Sequence, residues 1–234
     1  MSHTDTGVRA AGGWLAIASL LLTGTLITHG PLQTDLGRQM QIIADGSTRW
    51  AIAHWSAAAA LSSFAVAGLV VLAARSRLTE GAWTMSAWAV LPVTALWTMT
   101  TAVAEATAVA DAAIAGDRPM FDAWWAFSEG KATGFMFSAL ALAIIAGNEA
   151  RTHQRVTPAG ASWIGAAAGV ASFFGWALGM WLGVGIGNLI WLVSSIILCL
   201  WALWFGIALA GVGRVSTAHA GARPVSRVAS PVDP

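Results

Sequence analysis

Four residues give this chain its capacity for chemistry: His29, His54, Glu105 and Glu129. Two imidazoles offer nitrogen lone pairs to zinc, copper or iron, and a carboxylate can complete such a ligand set or move a proton. All four lie within or beside long apolar segments. An ionisable group there is expensive, which makes each a candidate for function. They are far apart in sequence, so only the segments that carry them can bring them together.

Those segments define the fold class. The stretch Trp50 to Ala74 has no Asp, Glu, Lys or Arg and a single histidine. As a helix it is longer than a hydrocarbon core of roughly 30 Å, and only a helix satisfies its backbone in lipid. The same pattern recurs at about 10–29, 82–105, 131–147, 159–182 and 188–210. Of the 234 residues 57% are hydrophobic and only 10% charged, against roughly 25% charged in a soluble domain. The expected architecture is an all-α, polytopic membrane bundle of six transmembrane helices. It forms one domain over 1–210, followed by a disordered tail over 211–234 that is rich in Pro, Ser, Gly and Arg.

Breaks and polar segments separate the spans. Gly30-Pro31 ends the first, since a residue before proline leaves the helical region. Leu32, Leu36, Met40 and Ile43 then recur at helical spacing and predict a short interfacial helix. Pro92 lies inside the third span, which can continue past Glu105 as far as the break at Gly116 to Pro119. The segment from Met120 to Gly130 predicts a second interfacial helix, with Trp124, Trp125 and Phe127 as anchors or as a lid. The fourth span is short, so Lys131 is expected to snorkel. Between Ala159 and Gly213 there is no acidic, basic or histidine residue, enough for two spans with a hairpin at Gly183 to Asn188.

Six spans put both termini on one side. That side holds Arg9, Arg75, Arg77, Arg151, Arg155, Arg214, Arg223 and Arg227, against Arg38, Arg49, Arg118 and Lys131 on the other. The positive-inside rule makes the arginine-rich side cytoplasmic and the chain a multi-pass protein of the cell inner (plasma) membrane. The topology carries His29, His54, Glu105 and Glu129 to similar depth on the opposite side. His3, His153 and His219 fall on the arginine-rich side.

Two cofactor readings follow. In the first, His29, His54 and Glu105 hold a metal ion, with Glu129 as general base toward bound water in a hydrolytic version. In the second, His29 and His54 are the axial ligands of a b-type haem, Glu105 orients an imidazole, and Arg49 pairs with a propionate. An ordinary structural role for all four is the competing account, because polar groups near span ends are cheap and a histidine suits a helix C-terminus. Asp111, Asp117 and Asp122 could extend the site into an acidic mouth, or merely solubilise a loop.

The chain has no HExxH motif, no nucleotide-binding loop, and only one cysteine, Cys199. No basic patch is dense enough for nucleic acid. Gly175, Gly179, Gly183 and Gly187, four residues apart, allow close helix approach, either within the chain or toward a homo-oligomer or other membrane subunits. The expected function is a membrane oxidoreductase or electron-transfer subunit with a metal or haem near the non-cytoplasmic surface. The alternatives are a non-catalytic scaffold or accessory subunit of a larger membrane complex, and a small-solute transporter.

Overall fold

The computed structural model describes residues 3–130 and 134–211, with side chains over 6–128 and 134–211. Every element over these residues is helical. They are α1 (His3–His29), α2 (Leu36–Asp45), α3 (Ser47–Ala74), α4 (Ala82–Ala104), α5 (Ala110–Ala115), α6 (Arg118–Trp125), α7 (Phe135–Arg151), α8 (Ala159–Trp176) and α9 (Gly185–Gly211). π-helical turns at Glu105–Val109, Ala126–Gly130 and Ala177–Trp181 extend α4, α6 and α8.

Five helices are long and apolar enough to cross a membrane: Thr6–His29, Ser47–Ala74, Ala82–Ala115, Ala159–Trp181 and Gly185–Gly211. The span predicted at 131–147 is α7, which has 17 residues and is shorter than these. Its expected basic anchor, Lys131, lies outside the described residues, as does the tail over 212–234.

The long helices close into a ring. α1 packs beside α3 and α9, α3 beside α4, α4 beside α7, α7 beside α8, and α8 beside α9. In lipid, helices associate through close packing rather than through exclusion of water, so small residues decide where backbones can meet. At the α1–α9 seam a Cβ on Gly206 would lie 2.7 Å from the backbone nitrogen of Ala16. At the α3–α4 seam Pro92 fits because Gly68 faces it; a Cβ there would stand 2.9 Å from the proline ring.

The glycine stripe is used inside the chain. A Cβ on Gly175 would lie 2.5 Å from the nitrogen of Trp191, and one on Gly187 would run into the backbone of Gly179. Three of the four glycines expected to allow close helix approach, within the chain or toward another subunit, therefore hold α8 against α9. Gly183 serves the turn between the two helices instead, with a φ of 68°.

Short helices cover the ring at the His29 end. α2 starts where Asp35 Oδ1 accepts hydrogen bonds from the backbone N–H groups of Gly37 and Arg38, at 2.8 and 3.1 Å. Leu32 and Ile43 are buried as the predicted apolar face requires, Leu36 and Met40 are half-buried, and Gln39, expected on the polar side, is buried with its amide oxygen accepting from the Gln33 N–H at 2.9 Å. α5 and α6 pack against each other beside α2.

At the opposite end, the buried carboxylate of Glu149 organises the α7–α8 loop. It accepts hydrogen bonds from the backbone N–H groups of Val156 and Thr157 and stands 3.7 Å from Arg77 Nη1. Glu149→Ala would leave these donors and a half-buried guanidinium without their acceptor. A loss of about 3 kcal/mol is expected, readable as a lower denaturation midpoint of the purified protein in detergent.

Candidate metal site at the imidazole pair

His29 is the last residue of α1 and His54 lies two turns into α3, so the seam between these helices sets both rings at one depth. Their centroids are 5.1 Å apart, edge to face. Trp50 completes a triangle, 4.7 Å from His29 and 4.3 Å from His54. Thr25 fastens the seam here by donating its hydroxyl hydrogen to the Ala53 carbonyl at 3.3 Å.

Backbone carbonyls orient both imidazoles. His29 Nδ1 stands 2.8 Å from the Gly30 carbonyl oxygen, and His54 Nδ1 stands 2.9 Å from that of Trp50. A carbonyl can only accept, so each Nδ1 carries the proton and each Nε2 keeps a lone pair. Metal-binding histidines show the same arrangement, with the far ring nitrogen donating to a carbonyl or carboxylate. Neither Nε2 is engaged by another protein group among the described residues.

Both rings line a cavity of about 60 Å³ at the ring's centre. All six long helices contribute to its wall: Leu22 and Thr25 from α1, Ala57 from α3, Thr98 and Thr101 from α4, Phe135 from α7, Trp176 from α8 and Trp191 from α9. Each of the three threonines spends its proton on a backbone carbonyl. The indole N–H groups of Trp176 and Trp191 are buried and make no hydrogen bond to protein. The cavity is thus lined by two imidazoles and two indoles whose N–H groups make no hydrogen bond to protein, within a mostly apolar wall.

No known family matches this chain. No curated protein and no solved structure matches it either.

Among the described residues, Glu105 and Arg49 are not grouped with the histidines as ligands of one site. Glu105 is buried in the π-helical turn after α4, where its carboxylate accepts a hydrogen bond from the Ser128 hydroxyl. Trp50 reaches the same turn, donating its indole N–H to the Glu105 backbone carbonyl at 3.1 Å. Among the described residues, no three His, Cys, Asp or Glu side chains are grouped to hold one ion. Arg49 is exposed and lines an outer groove between α1 and α3. The side chain of Glu129 lies outside the described residues. Asp117 caps α6 through Met120 N, and Asp122 pairs with Arg118 at 2.7 Å, so both have local structural work.

A porphyrin does not fit between the histidines as they stand. Trp50 is in ring contact with both imidazoles, and the cavity is far smaller than the roughly 300–1,000 Å³ of an ordinary ligand pocket. The volume leaves room for a small ion and a water.

Trp176, Trp191 and the threonines were not singled out by sequence, which found no acidic, basic or histidine residue in the fifth and sixth spans. One signal was available: Trp176 and Trp191 lie seven and eight residues on either side of Gly183, at similar depth. The three π-helical turns occur at this same end of the ring, a feature frequent at functional sites.

Proposed function

We propose that this chain is an electron-transfer or oxidoreductase subunit of the plasma membrane that holds one copper ion on Nε2 of His29 and His54. The observation that carries this reading is the pair of carbonyl-oriented imidazoles lining one cavity between the helices. Copper is preferred because the donor set stops at two imidazoles. Catalytic zinc takes three protein ligands, and non-haem iron adds a carboxylate to two histidines. Copper(I) accepts two nitrogen ligands, and imidazole also suits copper(II). The ion would supply a one-electron couple. The protein's part is to hold the two Nε2 atoms in place between walls of leucine and tryptophan.

The same reading puts α7 across the membrane as a sixth span, because it occupies a place in the helix ring between α4 and α8. With six spans both termini are cytoplasmic and the copper lies near the opposite surface. The scaffold alternative loses its main motive, since its glycine face is occupied by α9. The transporter alternative needs a polar route. Beneath the histidines lies a void of only about 20 Å³, walled mainly by Leu22, Leu61, Phe64, Leu91 and Phe135.

The test is elemental analysis of protein purified after expression with copper, joined to electron paramagnetic resonance of the oxidised sample. One copper per chain with nitrogen hyperfine structure is expected. Folded protein that takes up no copper in either oxidation state would overturn the proposal.

A further inference from the structure

At the arginine-rich end a second concavity opens on the outside of the ring. It is a groove of about 870 Å³ between α4, α7 and α8. Ala143, Ile144 and Gly147 of α7 and Ala167 and Val170 of α8 form an apolar wall. Its rim is polar and carries Glu80, Asn148 and Arg151. Trp83, at the start of α4 and 80% exposed, marks the headgroup level.

The two charges on the rim are opposite and unspent. The ion pairs among the described residues are Arg77–Glu149 and Arg118–Asp122, so Glu80 and Arg151 pair neither with each other nor with another charged side chain there. Arg151 is nonetheless held in place, its guanidinium 5.2 Å above the Trp163 ring. An apolar trough below one fixed cation and one separate anion matches a lipid carrying both charges in its headgroup.

We propose that this groove binds phosphatidylethanolamine. Arg151 receives the phosphate, a match of planar donors to phosphate oxygens, while Glu80 receives the ammonium and Asn148 adds a polar group to the same rim. One acyl chain lies along α7 and α8. Phosphatidylglycerol fits less well, because it has no cation for Glu80 and brings net negative charge beside that carboxylate. Phosphatidylcholine offers Glu80 no N–H donor.

The test is native mass spectrometry of the full chain in detergent, titrated with each of the three lipids. Phosphatidylethanolamine is expected to bind about tenfold more tightly than either other lipid, the scale of one charge-assisted contact. Arg151→Gln should weaken it about tenfold, and Glu80→Gln should abolish the preference over phosphatidylglycerol. Both are surface changes that leave the fold intact. Ala167→Trp, which fills the groove from an exposed position, should remove the adduct without lowering the melting midpoint. Equal binding of all three lipids, or an adduct indifferent to Arg151→Gln and Ala167→Trp, would overturn the proposal.

Discussion

His54→Ala is expected to lower copper affinity by more than about 100-fold, and His29→Ala to do the same, because neither variant retains two nitrogen ligands. The loss should be chemical rather than structural. His54 Nδ1 bonds the Trp50 carbonyl one turn back within its own helix, so its removal frees no donor or acceptor elsewhere in the bundle. The imidazole of His54 also leaves a ring-sized space beside the cavity. Millimolar free imidazole is therefore expected to restore the copper signal in His54→Ala. A metal-site role predicts rescue; a packing role predicts a lower melting midpoint and no spectroscopic recovery. Trp176→Phe and Trp191→Phe keep an aromatic wall and delete an unbonded N–H, so copper should still bind.

Gly206→Leu should be among the most destabilising substitutions in the chain. A Cβ at this position would stand 2.7 Å from Ala16 N and 2.8 Å from the Gly12 carbonyl oxygen, so it meets backbone rather than a side chain that could rotate away. Gly12 presents the reciprocal contact, 2.6 Å from Ala210 N. Relief requires α1 and α9 to separate, which opens the ring at its only seam between the first and last long helices. A cost of about 3 kcal/mol or more follows, at the upper end of ordinary overpacking. Gly24, which has nothing within 4 Å, is the matched control, and Gly24→Ala should be close to neutral. Comparing the two variants by denaturant titration in detergent checks this. Equal stability of Gly206→Leu and the parent would mean the seam is not as close as described.

Both predictions meet at α1. The one helix carries Gly12 to the α9 seam and His29 to the cavity, so opening the seam should also loosen the imidazole pair. Copper affinity of Gly206→Leu is expected to fall along with its stability, although no ligand has changed.

Much of the fold was legible in the residues alone. Uninterrupted apolar runs, Gly-Pro at the end of α1, the helical spacing of Leu32 to Ile43 and the Gly183 turn all locate elements. Each is a local property: hydropathy sums along one helix, and breaks depend on one or two residues. Shared depth was legible too, because helices of similar length crossing one slab place corresponding residues at corresponding heights. That reasoning put His29 and His54 at one level, and they are in ring contact.

Depth says nothing about rotation. A helix turns about 100° per residue, so one residue's shift in facing moves a side chain from the bundle axis to the lipid. Glu105 shares the depth of the histidines yet points to Ser128, because the π-helical turn that begins at Glu105 and the indole of Trp50 set its direction. Arg49 shares it as well and faces outward. The glycine stripe could have faced any helix; its use against α9 depends on which neighbour the ring supplies. Trp176 and Trp191 joined the cavity because ring closure set α8 and α9 opposite α3 and α4. The sequence by itself determined the membrane-spanning helices, their breaks and the depth of the two histidines. Tertiary packing alone decided which side chains face the centre, since azimuth is set by contacts between helices rather than by any one helix.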